Sequence, residues 1–201
     1  MSRRRAVTLA SIVLAMWGLK RHYADAGVEE LRWILWPTAQ IVAAATGTPF
    51  EMEPGAGYLS REHLFLIEKS CAGINFMIAA LGLTGLVLVR DSHRSNSERS
   101  GIHSREASGG SRGCAASTPL LIDDLWIAGR GLALSYAAAV VVNSIRILVA
   151  IRLASADLAG GWWTAARIHR LEGITVYFVG LLLLDRVVRR LAAPRTAEAA
   201  S

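Results

Sequence analysis

The sequence predicts an all-α, multi-pass integral membrane bundle of about five transmembrane segments, and three observations predict it. The residues are 53% hydrophobic, with a mean hydropathy of +0.36. The apolar residues are bunched into blocks rather than spread along amphipathic periods, as bilayer-facing segments are. The arginines fall in the gaps between the blocks, where the positive-inside rule expects them. The net charge of +6 over 201 residues therefore reads as membrane topology. It does not read as nucleic-acid binding, because no basic stripe with interleaved aromatics accompanies it.

The first block, residues 6–19 (AVTLASIVLAMWGL), follows Arg3-Arg4-Arg5. As a helix it is about 21 Å long, short for a hydrocarbon core of about 30 Å. Lys20 and Arg21 stand between this stretch and a possible ADA cleavage site at 24–26. They favour an uncleaved short span over a removed leader. The second block, 31–47, carries Trp33, Trp36 and Pro37 and suits a kinked helix with an interfacial aromatic end. The third, 71–89, is uncharged. The fourth, 125–151, contains Arg130 and Arg146, and the fifth covers 171–188. Residues 90–122 are rich in Ser, Gly and Arg and read as a disordered loop. Five arginines lie between positions 90 and 112, and four more follow from Arg186 into the tail at 189–201. Both segments are expected in the cytoplasm. Carried backwards, this topology leaves the N-terminal arginines on the outer side, so either the N-terminus is outside or one of the two short N-terminal blocks lies in the interface or re-enters.

With that orientation, three separate segments deliver reactive side chains to the outer face of the membrane. Cys71 opens the third block in IEKSCAGINF, Asn143 and Arg146 lie late in the fourth, and His169 precedes the fifth. A thiol is nucleophilic as thiolate, and a helix N-terminus or a nearby cation favours that form. Cys71 is expected to start a helix behind Lys69, with Ser70 as N-cap. Arg146 is costly in an apolar helix unless it faces the bundle interior or water, and Asn143, three residues earlier, shares its face. His169 supplies a group that titrates near pH 6.5 and suits acid/base work. His63 is a second outer-face histidine, while His22, His93 and His103 fall inside. The other cysteine, Cys114, sits in the polar loop and reads as an inert surface thiol. No Cys/His or carboxylate pair on the outer face has metal-ligand spacing, and the Gly-Arg-Gly at 129–131 precedes no phosphate-loop pattern. No metal or cofactor is expected.

Three motifs in this order, EKSCAGINF, NSIR and HRLEG, resemble the exosortase/archaeosortase family, most closely its exosortase K branch. The resemblance covers roughly residues 60 to 190. It rests on Cys71-Ala72-Gly73 at a helix start, Asn143 to Arg146 late in a helix, and His169 followed by Gly173. It implies a membrane-embedded cysteine protease or transpeptidase in a bacterial inner membrane. Its partners would be exported proteins bearing a C-terminal motif, an apolar helix and a basic cluster, with a surface polysaccharide or lipid as possible acceptor. Cys71 would then be nucleophile, His169 acid/base and Arg146 the transition-state cation, supported by Asn143, Gly73 and Gly173. The competing expectation is a non-enzymatic membrane protein, a small transporter subunit or an assembly factor for surface polysaccharide. In that case Asn143 and Arg146 would line a path. The absence of polar residues at mid-membrane favours the enzyme.

Overall fold

The computed structural model describes residues 3–87, 89–90, 120–155 and 164–192. It is mostly helical, with five helices among the described residues. Helix α1 is Arg3–Asp25, 23 residues long. The first apolar block is thus extended at both ends by polar residues and becomes about 35 Å long. Helix α2, Arg32–Thr46, carries Pro37 in its interior and ends at Gly47, whose left-handed backbone (φ +75°) donates its N–H to the Ala43 carbonyl. Its 15 residues make about 22 Å, less than a bilayer's hydrocarbon thickness.

Residues 51–67 correct the all-α expectation. Strands β1 (Glu51–Glu53), β2 (Gly57–Ser60) and β3 (Phe65–Ile67) form an antiparallel sheet in the order β1-β2-β3. Glu51 lies opposite Leu59, and Tyr58 opposite Ile67. Strands of three or four residues are too short to show a period in the sequence. They persist because Tyr58, Ser60 and Ile67 are buried in the fold. Gly57 is required there: at φ +136° a Cβ would stand 2.2 Å from the Ile67 carbonyl oxygen. A 3₁₀ turn, Lys69–Ala72, then leads into helix α3, residues 74–87. Helices α4 (Leu120–Ser155) and α5 (Ala165–Ala192) complete the fold. Helix α4 takes in residues 120–122, expected in the loop, and α5 runs past 188 into the expected tail. Cys114, His93 and His103 lie outside the described residues.

Inter-helix contacts define the directions. Along α1 and α3, Lys20 meets Asn75, Met16 packs at Gly82 and Ile12 at Gly85, so the two helices are antiparallel. Gly73 meets Asn143 while Thr84 bonds Ser135, which makes α3 and α4 antiparallel as well. Helix α5 reverses again, with His169 against Arg146 and Gly180 against Val142. Helix α2 is the exception. Trp33 stacks on Tyr136, and Thr46 lies beside Ile151, so α2 runs parallel to α4 and therefore to α1. It starts part-way up α4 and climbs to the end where the sheet sits. The start of α1, the end of α3 at Arg90 and the end of α5 at Arg186, Arg189 and Arg190 consequently share the opposite end.

Two helical segments are long and apolar enough to cross a membrane: Lys69–Val87, with mean hydropathy 1.7, and Gly129–Ala154, with 1.9. Helices α1 and α5 expose large apolar side chains along their outer faces, among them Val13, Leu14, Trp17, Phe178 and Leu182. The core between helices is built from Ile34, Leu35 and Val42 of α2, Ile74 and Phe76 of α3, Ile147 of α4 and Val188 of α5.

Candidate active site

The turn that carries Cys71 is fixed by its neighbours. Lys69 donates from Nζ to the carbonyls of Ala24 (3.2 Å) and Ala26 (2.7 Å) and lies over the Tyr23 ring. The Tyr23 hydroxyl donates back to the Lys69 carbonyl at 3.3 Å. Lys69 therefore ties the turn to the end of α1 instead of standing beside the thiol. Ser70 donates to Glu68 Oε1 at 2.6 Å rather than capping a helix. Cys71 sits in the 3₁₀ turn, and α3 begins only after Gly73, which is left-handed at φ +68°. The thiol is 6% exposed, so the cysteine stands at the end of the bundle but is buried beneath its surface. Its sulfur meets Ser70 Oγ at 3.9 Å.

A chain of hydrogen bonds runs from this turn across α4 to α5. Asn143, fully buried, donates from Nδ2 to the Cys71 carbonyl. Its Oδ1 accepts from the Tyr177 hydroxyl at 2.9 Å. Tyr177 in turn accepts from Arg146 Nη1 at 3.2 Å, and Arg146 Nη2 meets His169 Nε2 at 3.1 Å. The guanidinium also lies over the Tyr177 ring, 5.4 Å from its centroid, and Phe76 packs against the same ring with centroids 5.3 Å apart. Two glycines admit these side chains. A Cβ on Gly73 would stand 3.0 Å from Asn143 Cγ, and one on Gly173 would stand 3.2 Å from Arg146 Nε. Glu172 closes the chain, with Oε2 3.6 Å from His169 Nδ1.

Tyr177, Arg146 and His169 of this chain line one side of an open cavity of about 460 Å³, with Tyr23 of α1, Ser70 and Gly73 of the turn and Arg170 of α5, while Cys71 and Asn143 are buried outside its lining. A charge on the Cys71 sulfur would be felt at Arg146 and Tyr177. Burial, and then the adjacent Arg146 cation, hold the imidazole of His169 below its ordinary 6.5, so it is neutral at pH 7. A guanidinium can only donate, so His169 Nε2 accepts and the neutral ring carries its proton on Nδ1.

All six residues singled out from the sequence, Cys71, Gly73, Asn143, Arg146, His169 and Gly173, meet here. His63 does not. It faces a second cavity with Glu62, Phe65, Arg152 and Ala154, at the sheet. Tyr177 and Glu172 were missed. Tyr177 is eight residues after His169 and four after Gly173, so helical spacing places it on the same face. Glu172 lies inside the HRLEG motif itself. The mid-helix positions of α3 and α4 are not wholly apolar either: Thr84 and Ser135 form a buried pair at 3.0 Å, and Ser135 donates to the Gly131 carbonyl. The pair satisfies itself and stands apart from the cavity. Among the described residues no cluster of three or more His, Cys, Asp or Glu could hold a metal. Comparison with family models, with curated proteins and with solved structures gives no match to this chain.

Proposed function

We propose that the chain is a membrane-embedded cysteine protease or transpeptidase, similar in its residues to exosortases, which processes a C-terminal sorting signal of exported proteins at the outer face of a bacterial inner membrane. One observation carries the reading: a continuous hydrogen-bond chain from the Cys71 carbonyl through Asn143, Tyr177 and Arg146 to His169, the last three of which line an open cavity. A packing role for Arg146 would not need a glycine cleared for it, an aromatic beneath it and a neutral histidine at its tip.

In this reading the Cys71 thiolate attacks the scissile carbonyl, and the C–S bond forms as the carbonyl π-bond opens onto oxygen. Arg146 donates N–H groups to that oxyanion. Before attack, Arg146 turns to the entering substrate and releases His169 Nε2, which takes the thiol proton; the oxyanion then collapses, the C–N bond breaks, and the imidazolium gives that proton to the leaving amine. A thioester remains, resolved by an acceptor nucleophile or by water. Asn143 holds the Cys71 carbonyl and so sets the thiol's position.

The same reading places four crossings in the bilayer: α1, α3, α4 and α5. Residues 26–31, which connect α1 to α2, span at most about 20 Å. That is too little for a return across about 30 Å of hydrocarbon. Helix α2 and the sheet then belong to the outer half. The start of α1 with Arg3-Arg4-Arg5, the end of α3 at Arg90 and the end of α5 at Arg186, Arg189 and Arg190 then lie on one side, as the positive-inside rule prefers, and the conflict at the N-terminus disappears.

The test is processing of an exported protein that ends in an apolar helix and a basic cluster, co-expressed with this chain. Cys71→Ala should leave the precursor uncleaved while the protein keeps its helical content. Processing that continues in Cys71→Ala at the original rate would sink the proposal.

A further inference from the structure

Glu172 is a buried ionisable group beside the site that the proposed chemistry leaves without a role. It lies three residues after His169 on α5. Its side chain is 4% exposed, and neither carboxylate oxygen has a hydrogen-bond partner among the described residues. Carboxylates are seldom buried in this way without a partner, because desolvation is costly. What Glu172 faces is the Nδ1 edge of His169, at 3.6 Å, with Arg146 close enough to act on it electrostatically.

The ring has two edges and the two neighbours divide them. Arg146 Nη2 occupies Nε2 and can only donate there, so the proton of the neutral imidazole sits on Nδ1, opposite Glu172. No other polar contact among the described residues reaches the Nδ1 edge. The remaining charged groups are engaged elsewhere or stand away from it. Lys69 is bound to Ala24 and Ala26, Glu68 to Ser70 and Lys20 to Asn75, while Arg170 is exposed at the cavity rim and Tyr23 lines the far wall. At 3.6 Å the pair is a charge contact rather than a hydrogen bond, a spacing that commonly tightens when a site fills.

We infer that Glu172 is a positioning residue that holds the His169 proton on Nδ1 and so keeps the Nε2 lone pair turned to the cavity for proton transfer. The inference rests on the reading of His169 as acid/base. It makes the site a Cys–His–Glu arrangement, with the carboxylate orienting the imidazole and never taking its proton.

The test is nuclear magnetic resonance of the full chain in detergent micelles with ¹⁵N-labelled histidine, His169 being assigned by subtraction with His169→Gln. Wild type should show the Nδ1–H tautomer above its titration. Arg146→Leu should keep that tautomer, because Glu172 remains. Glu172→Gln should titrate about one pH unit lower than wild type, since removing a nearby negative charge disfavours the protonated ring. Glu172→Asp, which keeps the charge, should titrate between the two. Reversion of Arg146→Leu to the Nε2–H tautomer would overturn the inference. So would an unmoved titration in Glu172→Gln, and an unmoved one in Glu172→Asp serves the same purpose if Gln unfolds the chain. None of these readouts requires turnover, so they stand apart from the Cys71→Ala test. Where processing can be followed, Glu172→Gln should lower kcat about 100-fold at unchanged KM.

Discussion

At Arg146 a single side chain spans three functions: Nη1 to Tyr177, Nη2 to His169, and the stem against Gly173. A lysine keeps the charge but not the planar fork that meets two partners at once. Arg146→Lys should therefore reduce processing by about 10²–10³-fold, the range for loss of an oxyanion donor; retention of a tenth or more of the wild-type rate would argue that charge alone suffices. Tyr177→Phe should be felt first as stability. It leaves Asn143 Oδ1 without its donor and Arg146 Nη1 without its acceptor, a cost of about 1–3 kcal/mol readable in thermal unfolding of the detergent-solubilised protein. His169 supplies a pH dependence. Its folded-state value lies below the ordinary 6.5 because of burial and then Arg146. The folded chain thus binds this proton less readily than the unfolded chain, so the contribution to stability is present above pH 6.5 and is lost as pH falls through the lowered value. Replacing Arg146 by Gln should move the His169 titration up toward 6.5. A titration that does not move would assign the lowering to burial alone. The residue types were legible in the sequence, as was their convergence at one end of three segments. Their mutual distances were not, because Asn143 reaches Cys71 only through the path that Gly73 leaves open.

At the scale of elements, the turn between β3 and α3 is where sequence and structure differ most instructively. Lys69 and Ser70 read as an activating cation and a helix cap. Yet the lysine finds two carbonyls at the end of α1, which only folding brings near, and the serine finds Glu68, two residues before it. Gly73 carries the geometry instead. Gly73→Ala would force a non-glycine residue into the left-handed region, at about 1–2 kcal/mol, and press a methyl onto Asn143. The expected result is slower alkylation of Cys71 in the folded protein and a lowered unfolding temperature; an unchanged unfolding temperature would show that the turn relaxes freely. The Thr84–Ser135 pair joins α3 to α4 below the cavity. Thr84→Val should cost about 0.6 kcal/mol, and no more than about 1.7, as measured for hydrogen bonds between membrane helices, with no effect on the pH dependence of His169.

For the whole molecule, the proposed four-crossing arrangement rests on the parallel course of α1, α2 and α4. Cysteines introduced singly into a Cys71→Ala, Cys114→Ser background should report this with a membrane-impermeant maleimide. Glu62→Cys should label in intact cells, and Ala6→Cys and Arg90→Cys only after permeabilisation. Labelling of Ala6→Cys in intact cells would restore an outer N-terminus and remove the four-crossing arrangement. The sequence by itself determined the helical, apolar character of the chain, the clustering of arginines between blocks and the identity of the six residues that meet at the cavity. Those are local properties: composition within one turn or one helix length sets them. Only the tertiary structure decided that α2 runs parallel to α1 and α4, that residues 51–67 pair as strands, that Cys71 is buried, and that Tyr177 and Glu172 join the candidate site. Each of those depends on which groups, distant in the chain, are left to satisfy a backbone carbonyl, a guanidinium or an imidazole edge once the helices have packed.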